Sequence, residues 1–295
     1  MSFDIWNLSV VIPTYERPKE IMSLINSLNI DYPDLNLIVI DTSKEINRIL
    51  KKESNKINLE YIHMLNNGIS CSRNIWLEKV NTDLVLFMDD DFKINKEKTK
   101  LLSFMEKFQG LNLDILWGEV NNIWSEKYDF HWKYEFLGDT LIHFVWLENK
   151  KLYNVWIYDT IFNYFVWKTK KIIENWWWDE ELKFAREHDD FFLNIKNKWL
   201  CVWYDDTFWI NHNDILIKHY NVQDNTSSIK HFCEKWDITS KIEVRIYKEE
   251  WKTRLSIYRF MWKKEMQLTD NEKEFILEKL WLEEKEVKID YNNIC

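Results

Sequence analysis

Three carboxylates in a row, Asp89, Asp90 and Asp91, close the apolar run LVLFM. Adjacent carboxylates repel, and a hard divalent cation relieves that repulsion; oxygen ligands favour Mg²⁺ or Mn²⁺, ions that also bridge phosphates. Residues at a strand end alternate sides, which pairs Asp89 with Asp91 and turns Asp90 away. A solvated acidic turn is the plainer alternative. A second group, REHDDFF from Arg186 to Phe192, puts Glu187, His188, Asp189 and Asp190 within one helical turn, ahead of two phenylalanines. A carboxylate at a helix N-terminus stays ionised through the helix dipole and can act as a general base, although acidic residues there also simply stabilise helices. His212 follows an apolar run and offers either an imidazole ligand or a structural side chain. Arg73 and Asn74 stand near a helix start after Gly68, where a guanidinium can grip a diphosphate.

These groups need a scaffold, and the first half of the chain supplies a regular one. LSVVIPT from Leu8, LNLIVID from Leu35, LEYIHML from Leu59 and DLVLFMDDD from Asp83 read as buried strands, being continuously apolar and rich in β-branched residues. KEIMSLINSL between the first two is an amphipathic helix, a polar helix-like stretch follows Asp41, and NNGISCSRNIWLEKV opens another helix. Such alternation predicts an α/β fold with a mostly parallel sheet covered on both faces. Ligands bind such sheets at the carboxyl ends of the strands. Asp41 and Asp89 to Asp91 all fall there and are expected to share a cleft.

From about residue 111 the pattern loosens. LDILWGEVNN, LIHFVWLE and KLYNVWIYDTIFNYFVW read as loops and short strands. KTKKIIENWWWDEELKFAREHDDFFLNIKNK reads as a short helix, a turn and a longer helix beginning near Arg186, and LCVWYDDTFWINHN as a strand pair ending at His212. The tail predicts a hairpin, the helix TDNEKEFILEKL and a last strand KEVKID, together a small α+β appendage. The expected division is 1–213 and 214–295.

With 295 residues, 46% of them hydrophobic, a disordered chain or a disulfide-stapled miniprotein is excluded. A net charge of −9 argues against nucleic acid as the main partner. No apolar run approaches the roughly 20 residues of a spanning helix, and MSFDIWNLSVVIP lacks the basic start of a signal peptide. Cys71, Cys201, Cys233 and Cys295 form no metal-ligand spacing, which fits a reducing cytoplasm. One number is abnormal: 4 glycines against 18 tryptophans, where average usage gives about 21 glycines. Trp199, Trp251 and Trp281 stand where helix ends and hairpins want a positive φ. The pattern reads as a gene in which UGA encodes glycine, rendered as tryptophan. UGG codons at Trp76, Trp176 and Trp251 would instead mean a genuinely Trp-rich protein.

Taken together, VVIPTYERP, VIDTS, NNGISCSRNIW and LVLFMDDD resemble glycosyltransferase family 2, the inverting transferases of the Rossmann-like GT-A fold, and ENWWWDEELKFAREHDDFFLNIKNKWLCV is similar to that family's acceptor-side segment. Trp76, Trp176 and Trp177 fall on family glycines, the latter two in the acceptor loop. Within the family, DILWGEVNNI, NYFV and EHDDFFL look most like β-1,4-N-acetylgalactosaminyltransferases. The resemblance covers roughly residues 8–213 and implies a UDP-sugar donor with Mn²⁺ or Mg²⁺. Pro13, Thr14, Tyr15 and Asp41 would hold the uridine, with Arg73 near the uracil or diphosphate. Asp89 and Asp90 would contact the nucleotide sugar. Asp89 and Asp91 would bind the metal, Asp91 most directly, with His212 as an extra ligand. The base would come from Glu187, Asp189 and Asp190, with Asp189 the first choice. Two departures from the family pattern stand out: VIDTS lacks a second aspartate, and the family's Glu-Asp pair reads Glu187–His188 here.

The implied activity is sugar transfer to a glycan or glycolipid hydroxyl in cell-surface polysaccharide or glycolipid synthesis, on the cytoplasmic side. The tail could dock to a partner or peripherally to the membrane. A non-catalytic glycan-binding or scaffold protein descended from a transferase is the alternative. A sugar nucleotidyltransferase ranks lower, because no Gly-rich basic phosphate loop follows the first strand.

Overall fold

The computed structural model describes residues 4–292, except 66–67, 95–96, 98, 123–131, 146–150, 153–154, 162, 176, 184, 213–224, 249–252, 261–266 and 282–286. The four apolar runs are β1 (Leu8–Thr14), β2 (Asn36–Asp41), β3 (Leu59–His63) and β4 (Leu84–Phe87), all parallel, in the order β3-β2-β1-β4. Every residue of β1 is buried, as a strand covered on both faces requires. Between the strands lie α1 (Pro18–Asp31), α2 (Arg48–Glu53) and α3 (Ile69–Lys79). Pro18 opens α1, where its missing N–H has no intrahelical partner to lose, and Ile21, Leu24, Ile25 and Leu28 form its buried stripe.

After β4 the chain forms β5 (Phe92–Lys93), α4 (Leu101–Gly110), β6 (Ile115–Asn122), β7 (Trp132–Leu137), β8 (Thr140–Val145), β9 (Lys151–Leu152), β10 (Val155–Tyr158) and β11 (Phe165–Lys168). Then come α5 (Thr169–Asn175), α6 (Glu187–Asn197) and β12 (Val202–His212). The ten-stranded sheet continues past β4 as β11-β6-β12-β10-β9, with β5 paired to β12. β11 runs antiparallel to both β4 and β6, and β12 runs parallel to β6. The expected strand pair at 200–212 is instead this single strand, bulged between Asp205 and Trp209. Asp205 holds the bulge, accepting Thr207 N at 2.9 Å and Thr207 Oγ1 at 2.6 Å and pairing with Lys107. The polar YDDT motif mimics a turn without reversing the chain.

The remaining elements are α7 (Asn225–Lys235), β13 (Ser240–Lys248), β14 (Thr253–Phe260), α8 (Asp270–Leu280) and β15 (Val287–Asn292). They complete a five-stranded sheet, β15-β14-β13-β8-β7. The division expected at residue 213 therefore runs through a sheet, since β7 and β8 precede it and β8 pairs with β13 from Thr140↔Ser240 to Val145↔Arg245. β8 is buried at every position and needs cover on both sides. Leu141 joins the main core, while Ile142 and Phe144 pack with Ile242, Val244, Leu255, Ile257 and Ile276 in a second one. Among the described residues no helix is long and apolar enough to cross a membrane.

Two helices end on a tryptophan in the left-handed region: Trp199 (φ 59) beyond α6 and Trp281 (φ 57) beyond α8. They are 93% and 95% exposed, so neither indole gains burial to offset the backbone strain. Trp199→Gly and Trp281→Gly are each expected to raise unfolding stability by about 1 kcal/mol, read as a higher denaturation midpoint at unchanged slope. A lower midpoint would mean that the indoles contribute to the native state. In the core, Trp76, Trp167 and Trp178 pack against one another at 5.7 to 6.2 Å between ring centroids. Each buries its indole N–H without a hydrogen-bond acceptor. Trp251 and Trp176 lie outside the described residues.

Candidate active site at the carboxyl ends of the strands

β4 stops at Phe87, Met88 N still reaches Val11 O at 3.1 Å, and the chain then turns, with Phe92 N 3.4 Å from Asp89 O. The turn sorts the three carboxylates. Asp90 leans onto β1, accepting Thr14 Oγ1 at 2.6 Å and Arg17 Nη1 at 3.0 Å. Asp91 takes the same Arg17 Nη1 on Oδ2, and its Oδ1 lies 3.4 Å from His212 Nε2. Asp89 accepts the Asn163 amide on both oxygens, at 3.0 and 3.1 Å. His212 arrives by register: β12 pairs with β5, placing His212 opposite Phe92, whose ring it meets edge-on at 5.5 Å.

Burial, followed by the neighbouring Asp91 charge, pushes Asp89 up to about 6. Burial pushes Asp90 up to about 7 against the pull of Arg17. Burial acts on Asp91 too, but His212 and Arg17 outweigh it and hold the carboxyl below its usual range. Asp91 Oδ1 is buried and makes no hydrogen bond, although the His212 imidazole stands beside it. Two carboxylates and one imidazole are suitable donors for Mn²⁺ or Mg²⁺. Among the described residues no three such side chains already stand in ligand geometry.

The expected nucleoside residues gather at the adjacent strand ends. Thr14 lies opposite Asp41 and Pro13 opposite Ile40 in the β1–β2 register, and Tyr15 follows half-buried. Asp41 is fixed by Ser43 N at 2.9 Å and Tyr61 Oη at 2.6 Å. Ahead of β4 in the chain, Gly68 (φ 97) starts α3, and a Cβ there would lie 2.7 Å from Lys183 Cβ. Ile69 N reaches Lys183 O at 2.8 Å, and Ser70 Oγ reaches Leu182 O at 2.6 Å. Asn74 brackets Trp178, accepting its N–H at 2.8 Å and donating to its carbonyl at 2.9 Å. The Gly68–Asn74 motif thus ties α3 to the 177–183 loop, on which Trp177 is exposed. Arg73 is 2% exposed, lies 5.2 Å from the Phe87 ring and 5.5 Å from the Trp178 ring, and directs Nη1 to Glu187 Oε1 at 3.3 Å. Its charge acts on Asp89. Arg73 therefore pairs with the first residue of α6, and its charge reaches Asp89.

The carboxylates of α6 differ in commitment. Asp189 accepts Tyr134 Oη at 2.6 Å and Arg186 Nη1 at 2.8 Å, with Lys241 Nζ at 3.7 Å. Burial opposes its charge, but Lys241, Arg186 and Tyr134 hold it well below the usual carboxylate range. Asp190 accepts Lys235 Nζ at 3.0 Å and Trp236 Nε1 at 2.7 Å. Both are buried. Glu187 is half-buried, with Arg73 as its ion-pair partner. His188 bonds the Ile161 carbonyl, and burial holds its imidazole below its usual pKa.

Sequence reasoning missed Arg17, Asn163, Tyr134, Lys235 and Lys241. Arg17 sits inside the YERP motif and Asn163 inside NYFV, so a polar residue flanking a strand was their local signal. The other three come from distant strands and helices and carried none.

A parallel sheet extended by antiparallel strands, with Asp41 and Asp89 to Asp91 at its strand ends, is the arrangement expected of a GT-A-like fold. The profile of Glycosyl transferase family 2 matches residues 9–173, more than half of the chain, which belongs to that family. The mouse (Mus musculus) enzyme beta-1,4 N-acetylgalactosaminyltransferase 2 is 32% identical over 129 residues, 43% of this chain and 24% of the relative. Poly(ribitol-phosphate) beta-N-acetylglucosaminyltransferase TarS of Staphylococcus aureus is 36% identical over 99 residues, 31% of this chain and 17% of the relative. The matched stretches are thus a quarter or less of either relative. In fold, TarS 1-349 in complex with UDP-GlcNAc aligns with a TM-score of 0.55 at 19% identity, covering 77% of this chain and 66% of that one. GalNAc-T7 with UDP, GalNAc and Mn²⁺ aligns with a TM-score of 0.57 at 11% identity, covering 78% and 48%.

Proposed function

We propose that this glycosyltransferase moves a sugar from a UDP-sugar to a glycan or glycolipid hydroxyl with inversion at the anomeric carbon. The observation that carries the reading is the half-buried carboxylate Glu187 at the start of α6, paired with Arg73, whose charge also acts on Asp89 at the acidic strand end. Asp41, with Thr14 and Tyr15 beside it, faces the nucleoside. Asp91, Asp89 and His212 would hold Mn²⁺ or Mg²⁺, which when bound neutralises charge developing on the leaving diphosphate. Glu187 takes the acceptor proton. Asp189, the first choice from sequence, is occupied by Tyr134 and Arg186 and poorly basic, so it serves the helix rather than the acceptor. GalNAc and GlcNAc head the donors, with Gal and Glc behind, and the work is done at the cytoplasmic face in polysaccharide or glycolipid synthesis. Glycine at positions 76, 176 and 177 belongs to the same reading, because bulky side chains at 176 and 177 would crowd the acceptor loop.

Calorimetric titration of UDP tests this reading. Binding is expected with Mn²⁺ and is expected to collapse on chelation; no UDP binding under either condition would overturn the proposal and favour a glycan-binding scaffold. A linkage effect accompanies it. Asp89 and Asp90 bind protons more tightly folded than unfolded, so without a divalent ion stability falls as pH rises from their ordinary value of 3.8 through about 6 and 7. Mn²⁺ then competes with protons. Its thermal stabilisation, about 2.7 kcal/mol at a hundredfold excess over Kd, is expected to be full at pH 8 and much smaller at pH 5.5. Equal stabilisation at both would put the ion elsewhere.

A further inference from the structure

We infer that the segment beyond residue 213 belongs to the catalytic apparatus: Lys241 of β13, with Tyr134 of β7, positions Glu187 by holding Asp189 in the same helical turn. The inference rests on Glu187 being the base and extends that reading to the second sheet.

The start of α6 is held only in part by its own sequence, through Arg186 to Asp189 and Asn194 to Asp190. Arg186 at its N-cap adopts φ 66, which side chains other than glycine rarely take, and provides no side-chain cap. Further hold on the first turn comes from outside. Lys241 is 5% exposed, and its Nζ stands 3.7 Å from Asp189 Oδ2, while Tyr134 Oη donates to Oδ1 at 2.6 Å. Arg186 closes the arrangement by donating to Oδ2 at 2.8 Å, which pins the left-handed residue directly before Glu187. Burial lowers the Lys241 ammonium to about 8 against the attraction of Asp189. Glu243 also favours the charge, but Asp189 is the carboxylate that acts on it most strongly, and a cation buried at that cost needs a carboxylate held close to it.

A second clamp acts one residue further along. Asp190 meets Lys235 and Trp236 at the end of α7, and Lys235 also reaches Asp179 at 2.8 Å, beside His231 at 3.0 Å. Ser228 Oγ adds a bond to Glu181 O at 3.3 Å. α7 and β13 therefore bind both α6 and the acceptor-side loop. Glu187, between these clamps and Arg73, has its direction set by groups from both sheets.

The test measures kcat, donor KM and UDP-binding stoichiometry for the full chain and for Lys241→Met, Lys241→Arg and Tyr134→Phe. Displacing a reacting group by about 1 Å can cost about 10²-fold in rate. Lys241→Met is expected to lose about that much kcat, with donor KM and UDP stoichiometry unchanged. Lys241→Arg, which keeps the cation, is expected to recover most of the loss, and Tyr134→Phe to lose about tenfold. A purely structural role would lower stoichiometry or melting temperature and leave kcat per bound UDP unchanged, which would overturn the inference. If Lys241→Met does not fold, Tyr134→Phe decides, since it removes one hydroxyl; unchanged kcat there also overturns it. A parent protein that transfers no sugar contradicts the transferase reading instead. Variants as fast as an active parent contradict only the positioning role.

Discussion

Asp91→Ala is expected to reduce kcat/KM for sugar transfer by about 10³-fold or more and to remove the effect of Mn²⁺ on UDP binding. The magnitude follows from losing several kcal/mol of charge stabilisation on the leaving diphosphate, at about 1.4 kcal/mol per tenfold. Asp91 is the sensitive member because its buried Oδ1 makes no hydrogen bond, while the other oxygen is taken by Arg17. The fold should survive the substitution. Arg17 keeps Asp90 at 3.0 Å, and the acidic run loses one of its mutually repelling charges. The comparison of melting temperatures without metal checks this: a large drop would turn Asp91 into a structural residue, and an unchanged value with lost turnover is the expected pattern.

Glu187→Gln is expected to cost about 10² to 10⁴ in kcat, the usual range for a general base, with donor binding retained. Glutamine preserves the contact to Arg73, so the loss isolates proton transfer from positioning. The companion variant Asp189→Asn separates the two carboxylates. Asp189 already accepts two hydrogen bonds and lies next to a buried ammonium, so neutralising it should destabilise the helix start and lower kcat indirectly. If Glu187→Gln proved nearly as active as the parent while Asp189→Asn were inactive at full stability, the base would be Asp189.

How much of this was readable in the chain beforehand depends on whether a feature is local. The four parallel strands were legible because each is a continuous apolar run, and the placement of Asp41 and Asp89 to Asp91 followed from the rule that strand ends face the ligand. His212 was visible as a candidate, and only the pairing of β12 with β5 explains why it reaches Asp91. Gly68 and Asn74 were legible as a motif, but their task of gripping the 178–183 loop was not, because the partners lie 104 or more residues away. The same limit hid the second sheet. β8 and β13 are far apart in sequence, and neither run carries a mark of its partner. The local sequence also gives no means of separating Glu187, Asp189 and Asp190. Three acidic residues in one turn look alike until Tyr134, Lys241, Lys235 and Trp236 occupy two of them. The tryptophan excess was legible, and the left-handed backbones at Trp199 and Trp281 fit its glycine reading.

The central claim is that Asp89 to Asp91 and Glu187 together form a metal-assisted transferase site for a UDP-sugar. The most direct measurement is UDP release from a panel of UDP-sugars, with and without Mn²⁺, on the protein carrying glycine at 76, 176, 177, 199, 251 and 281, beside its Asp89→Ala/Asp91→Ala double variant. The account predicts release from one donor that requires the metal and vanishes in the double variant. Release that persists in that variant, or no release from any donor with intact binding to glycans, would contradict it.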